Sequence, residues 1–134
     1  MSSPQSPFKS RGGFGRLHSA ARYALQGLVA AVRHEAAFRQ ELAVAIVALP
    51  VAIWLGQTVL EIFLLLASLV LVLIVELINS SIESLADTIT QEHHPLIGQA
   101  KDLASASVLL SVLLASGVWL TIAALRFIPF IRST

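Results

Sequence analysis

Four polar residues follow one another at helical spacing inside a long apolar stretch. Glu76, Asn79, Glu83 and Asp87 are separated by steps of three, four and four residues. At about 100° per residue, these positions fall within about 80° of one helix face. Carboxylates this close repel one another, and either protonation or a bound cation relieves the repulsion. The spacing therefore predicts a helix face that binds Mg²⁺ or takes up a proton.

Two more polar groups lie at the starts of neighbouring apolar segments. Glu35, Arg39 and Glu41 open one segment, and Lys101 and Asp102 open another. An ionisable side chain at mid-bilayer costs about 2.5–3.5 kcal/mol on insertion scales, so its position needs a reason. Metal-binding carboxylates, cations for phosphate and a spare carboxylate base suffice for phosphoryl transfer. The alternative is a set of solvated residues at the membrane surface, with Glu35 and Arg39 forming an i, i+4 pair.

The composition of the chain makes lipid part of its solvent. Of the 134 residues, 56% are hydrophobic and 13% are charged, and the mean hydropathy is +0.80. This apolar surface exceeds what one soluble core of this size buries. The absence of cysteine excludes disulfides, thiolate metal sites and cysteine nucleophiles. No GxxxxGK[ST] motif occurs, so helix ends and side chains must hold any nucleotide. We expect no nucleic-acid partner.

The pattern of apolar residues predicts an all-α membrane protein. Residues 14–33 carry apolar positions at intervals of three and four, with basic residues off that stripe, which is typical of an amphipathic helix on the membrane surface. Three apolar segments then approach the roughly 20 residues that a spanning helix needs, and none alternates with period two. We expect spans at 36–56, 59–83 and 103–127 around one membrane-embedded domain, 14–127. The remaining segments are a disordered polar tail, 1–13, and a C-terminal tail, 128–134.

The basic residues predict the orientation in the membrane. Six of the nine Lys and Arg residues precede residue 40, whereas the short turn at 56–60 has none. Basic residues favour the cytoplasmic side. The N-terminus is then cytoplasmic, and three spans return a loop at about 84–101 to the same side. All three polar groups lie at that cytoplasmic end and could form one pocket.

Three motifs resemble those of the prokaryotic diacylglycerol kinase family. They are EAAFRQE at 35–41, ELINSSIE at 76–83 and AKDLASA at 100–106. The resemblance covers about Arg16 to Trp119. It implies a homotrimeric bundle in the bacterial cytoplasmic membrane, with active sites shared between subunits. It also implies transfer of phosphate from ATP, with Mg²⁺, to the hydroxyl of diacylglycerol, giving phosphatidic acid.

The resemblance also implies a role for each polar residue. Glu76 would be the general base, and Glu35 and Glu83 would hold the metal. The residues implied in nucleotide binding are Arg16, Tyr23, Glu35, Asn79, Glu83, Lys101 and Asp102. Those implied in contacting the lipid, or in supporting residues that do, are Gln40, Glu41 and Ser105. The chain departs from the family pattern at Ser81, Ala104 and Leu25-Gln26, which removes none of the catalytic groups.

Two other functions stay open at this point. An undecaprenol kinase shares the fold and the catalytic motifs and differs in its lipid acceptor. A non-enzymatic membrane scaffold or carrier belongs to a different class, although a carrier favours an acidic residue at mid-bilayer and an internal repeat, and this chain has neither. The adjacent His93 and His94 have no assigned role, since paired loop histidines are most often solvated.

Overall fold

The computed structural model describes residues 13–128, and all regular structure in that range is helical. The helices are α1 (Gly13–His34), α2 (Ala36–Leu55), α3 (Val59–Ile89) and α4 (Pro95–Phe127). The expected all-α fold class is confirmed. The tails expected at 1–13 and 128–134 lie, except for Gly13 and Ile128, outside the described residues.

Helices α2, α3 and α4 are each long and apolar enough to cross a membrane. They form one compact unit, whereas α1 and Glu35 belong to another. Within the larger unit, α3 packs against both α2 and α4, which contact each other little. Most large apolar side chains of these helices are exposed, as lipid-facing residues are. The chain therefore has the architecture of a multi-pass membrane protein.

A tight turn joins α2 to α3, as the sequence predicts. The Thr58 hydroxyl accepts a hydrogen bond from the Glu61 backbone N–H at 3.1 Å, and the Glu61 carboxylate accepts one from the Thr58 N–H at 3.2 Å. This reciprocal pair is a capping box, which stabilises the start of α3. A Cβ on Gly56 would lie 2.5 Å from the Ile62 side chain, so the turn leaves no room for a larger residue.

The connection between α3 and α4 is shorter than expected. The prediction of a loop over 84–101 is wrong in extent, since residues 84–89 continue α3 and residues 95–101 open α4. No helix-breaking residue interrupts α3 before Thr90, whose backbone is extended. Pro95 occupies the first turn of α4, where a backbone N–H would have no hydrogen-bond partner within the helix, so proline is tolerated there. At about 1.5 Å per residue α3 is about 46 Å long and exceeds the roughly 30 Å hydrocarbon core. Its ends therefore extend beyond the lipid tails.

The buried apolar core lies near the α2–α3 turn. It consists of Ala52 and Leu55 on α2, Leu65 on α3 and Ile122 on α4. Close packing here fixes the register of the three helices at one end of the unit. The polar face of α3 formed by Glu76, Asn79, Glu83 and Asp87 lies in the other half of that helix.

Candidate functional site

The centre of the candidate site is the polar face of α3. Glu76 is 3% exposed and Asn79 is 8% exposed, although both are polar. The Asn79 side-chain Nδ2 donates a hydrogen bond to Oε1 of Glu83 at 3.2 Å. This bond orients the Glu83 carboxylate, which lies about two turns beyond Glu76 on α3. Asn79 Oδ1 is buried and accepts no hydrogen bond within the described residues.

Glu41 on α2 lies near the polar face of α3, on the side of Glu76. Its carboxylate lies close enough to that of Glu76 for the two to repel one another. Oε2 of Glu41 is buried without a hydrogen-bond partner among the described residues. Two neighbouring carboxylates that are partly buried are stabilised when they share a proton, when a cation binds between them, or when a ligand donates a hydrogen bond to them. The pair therefore marks a place where a hydroxyl or a metal could be accommodated.

Glu41 also lines a cavity of about 280 Å³ between α2, α3 and α4. The cavity walls are mostly apolar, and its other polar side chains are Ser116 and Trp119. The indole Nε1 of Trp119 is buried without a partner in the part of the chain that the structure describes. A site with apolar walls and a few unpaired polar atoms is typical of a pocket for an amphipathic ligand.

Lys101 lies beside this face because the α3–α4 connection is short. Its Nζ forms an ion pair with Asp87 Oδ1 at 3.0 Å, and both side chains are partly exposed. Lys101 is also near enough to Glu83 for an electrostatic attraction. Asp102 follows it on α4 and is exposed. A cation therefore lies beside the Asn79–Glu83 pair, where a phosphate would need one.

A second cavity, of about 270 Å³, lies at the α3–α4 turn next to Lys101. Asp87, His93 and His94 are among its polar lining residues. Within residues 13–128 no three His, Asp or Glu residues lie close enough to form a metal site by themselves. An ion held by these carboxylates would therefore need further ligands, and Mg²⁺ commonly takes these from water and phosphate oxygens.

The remaining predicted site residues divide between the two units. Gln40 on α2 and Ser105 on α4 are exposed near the polar end of the larger unit. Arg16, Tyr23 and Glu35 belong to the other unit, in which Glu35 directly follows α1. That these three meet Glu83 and Lys101 in one pocket stays a prediction.

Two contacts of this site were not predicted from the sequence. The ion pair between Asp87 and Lys101 depends on the length of the α3–α4 turn, and the only sequence signal was the place of Asp87 on the acidic face. The position of Trp119, whose Nε1 is buried beside the Glu41 cavity, was not predicted either. Helical periodicity alone did not indicate that arrangement.

The chain matches the family model described as prokaryotic diacylglycerol kinase over residues 22–123. It is 45% identical to the diacylglycerol kinase of Escherichia coli K12 over 107 residues, which cover 80% of this chain and 88% of the relative. It is 43% identical to the diacylglycerol kinase of Pseudomonas aeruginosa over 117 residues, 87% and 95% of the two chains. With that of Helicobacter pylori 26695 it shares 40% identity over 119 residues, 89% and 92%.

Proposed function

The chain belongs to the prokaryotic diacylglycerol kinase family and is a lipid kinase that phosphorylates diacylglycerol, and we propose that it works with MgATP at the cytoplasmic face of a bacterial inner membrane. The observation that supports this most is the buried Glu76, which lies one turn from Asn79 and two turns from Glu83. Asn79 and Glu83 are hydrogen-bonded to each other, with Lys101 beside them. These groups match the needs of phosphoryl transfer at a lipid hydroxyl.

In the proposed reaction the hydroxyl oxygen of diacylglycerol attacks the γ-phosphorus of ATP. The bond between the γ-phosphorus and the bridging oxygen breaks, ADP leaves with that oxygen, and the hydroxyl proton passes to Glu76. The products are ADP and phosphatidic acid. Burial of Glu76 at the polar end of α3 keeps bulk water from competing with the lipid hydroxyl as acceptor. The acyl chains can meanwhile stay in the membrane.

Mg²⁺ fits the carboxylates that are present. The Glu83 carboxylate is positioned by the hydrogen bond from Asn79. Mg²⁺ usually takes one or two carboxylate ligands and completes its coordination shell with water and phosphate oxygens, so one ordered carboxylate suits it. We propose Glu35 as the second carboxylate ligand. When bound, the ion would neutralise charge on the phosphates during transfer. Asn79 and Lys101 would then orient the phosphates through hydrogen bonds and charge.

The other binding roles are proposed as follows. Arg16 and Tyr23 on α1 would contribute to the nucleotide site, together with Asp102. Gln40, Glu41 and Ser105 would contact the lipid acceptor, because Glu41 combines an unpaired buried oxygen with an apolar cavity. Helix α1 would lie as an amphipathic helix on the cytoplasmic membrane surface. Three subunits would assemble into a homotrimer with shared active sites.

The competing functions are distinguished by different observations. Relatives that share about two fifths of their residues with most of this chain are named diacylglycerol kinases, which favours an enzyme over a scaffold or carrier. The same names favour diacylglycerol over undecaprenol as the acceptor.

A direct test uses the purified chain in mixed micelles with γ-labelled ATP and either diacylglycerol or undecaprenol. We expect labelled phosphatidic acid, a requirement for Mg²⁺ and little labelled undecaprenyl phosphate. Preferential labelling of undecaprenol would replace the proposed acceptor. Labelling of neither lipid in protein that is folded and pure would contradict the kinase function itself.

A further inference from the structure

Helix α1 carries a groove whose residues the proposed kinase reaction does not use. The α1 groove has a volume of about 400 Å³ and is lined by Arg22, Leu25, Gln26, Val29, Arg33 and His34, among others. All of these residues lie on one helix, so the groove is a feature of α1 itself. It combines two arginines with apolar side chains.

The charge of α1 is of one sign. Between Gly13 and His34 there is no Asp or Glu, whereas Arg16, Arg22 and Arg33 are cationic. Arg22 and Arg33 are eleven residues apart, so their positions lie within about 20° of each other on the helix and about 16 Å apart along its axis. Both arginines therefore lie on the same side of α1.

The apolar lining of the groove indicates which anion it accepts. Leu25 and Val29 are 64% and 47% exposed beside the two arginines. Cations next to exposed aliphatic side chains match a phospholipid, in which a phosphate group is joined to methylene chains. A free phosphate would gain nothing from Leu25 and Val29.

The two arginines of the groove lie on a different face of α1 from the proposed nucleotide contacts. Arg16 and Tyr23 project about 100° around the helix from Arg22 and Arg33. The guanidinium of Arg22 lies 5.8 Å from the centre of the Tyr23 ring, a cation–π contact that holds this arginine at the edge of the groove. Arg22 and Arg33 are thus cations without a part in the proposed reaction.

We propose that the α1 groove binds the phosphate headgroups of anionic phospholipids in the membrane surface. The inference rests on the proposed location of α1 on the membrane surface but not on the kinase reaction, since it concerns other residues and another ligand. Its physical basis is charge complementarity between Arg22, Arg33 and the lipid phosphates, together with contact of Leu25 and Val29 with the upper acyl chains.

The test uses the full chain in lipid nanodiscs. Because the chain has no cysteine, Gln26→Cys provides a single site in the groove for a fluorophore. Quenching is measured with 5-doxyl phosphatidylglycerol and with 5-doxyl phosphatidylcholine, which place the same quencher at the same depth. We expect a preference for phosphatidylglycerol that falls about fivefold for each arginine replaced by glutamine and weakens as salt rises.

Three matched variants make the result specific. Arg22→Lys with Arg33→Lys keeps the charges and retains the preference, whereas Arg126→Gln removes one positive charge from the end of α4 and leaves the preference unchanged. Equal quenching by both lipids in the otherwise unsubstituted protein overturns the proposal, and so does a preference that survives loss of both arginines. An increased KM for ATP in the Arg22→Gln, Arg33→Gln protein with intact lipid preference would assign the groove to the nucleotide instead.

Discussion

At the scale of single residues, the hydrogen bond from Asn79 to Glu83 lies between the proposed metal ligand and the proposed general base. Asn79 donates to Glu83, the proposed metal ligand, and lies one turn from Glu76, the proposed base. A hydrogen bond to a charged group stabilises its arrangement by about 1.5–3 kcal/mol. The orientation of Glu83 therefore depends on Asn79.

Replacing Asn79 by Ala should lower kcat/KM for MgATP by about 10- to 100-fold, because Glu83 loses the donor that orients it. Steady-state kinetics over a range of MgATP concentrations would measure the change. Ser81→Ala is a suitable control, since that exposed hydroxyl only donates to the Leu77 carbonyl of its own helix. Equal kinetics for Asn79→Ala and wild type would remove Asn79 from the site.

Substitutions in the ion pair between Asp87 and Lys101 distinguish the residue that positions Lys101 from the residue that is proposed to bind the phosphates. Asp87→Asn should lower activity only modestly, since Lys101 keeps its charge and its attraction to Glu83. Lys101→Met should raise KM for MgATP strongly because a phosphate contact is lost. Neither change should shift the unfolding midpoint much, since an exposed ion pair contributes little to stability. A larger kinetic effect of Asp87→Asn than of Lys101→Met would contradict these roles.

At the scale of elements, the α2–α3 turn determines how the site is aligned. The turn closes with a capping box and with a glycine that no larger residue can replace without moving Ile62. The buried core beside it fixes the register of α2, α3 and α4. Glu41 and Glu76, more than 10 residues from the turn on either side, come close enough to repel each other as a result.

Gly56→Ala should destabilise the protein by about 1–3 kcal/mol, since its methyl group overpacks the turn. The midpoint of unfolding in detergent would show this loss. Gly98→Ala is the matched control, because nothing lies within 4 Å of a Cβ at that helical position. A Gly56→Ala protein as stable as wild type would show that the turn can move without penalty.

At the scale of the whole molecule, the sequence predicted the number and kind of helices better than the contacts between their side chains. Long apolar segments predicted three spans because backbone groups in lipid require helices, and the few residues at 56–60 predicted a short turn between the first two. The length of the α3–α4 connection was not predictable, since polar helix turns beyond the membrane resemble a loop in composition. Partners across helices, such as Asp87 for Lys101, depend on packing that periodicity along one helix does not contain.

The proposed homotrimer leads to a test with mixed subunits. Glu35 lies in one compact unit of the chain and Glu76 in the other. If each site combines Glu35 of one subunit with Glu76 of its neighbour, mixing inactive Glu35→Gln and Glu76→Gln subunits equally should restore about a quarter of wild-type activity. Lipid phosphorylation after co-reconstitution would measure it. No recovery in trimers shown to be mixed would contradict shared sites.

The role of Glu76 is the claim on which the proposed mechanism depends most. The deciding measurement compares turnover of diacylglycerol by wild type, Glu76→Gln and Glu61→Gln under saturating MgATP. Glu61→Gln removes a carboxylate from the same helix, and Gln is accepted in a capping box. We predict a loss of at least about 100-fold for Glu76→Gln alone, because the general base is gone while the fold is kept. Turnover of Glu76→Gln close to that of wild type would contradict the proposed mechanism.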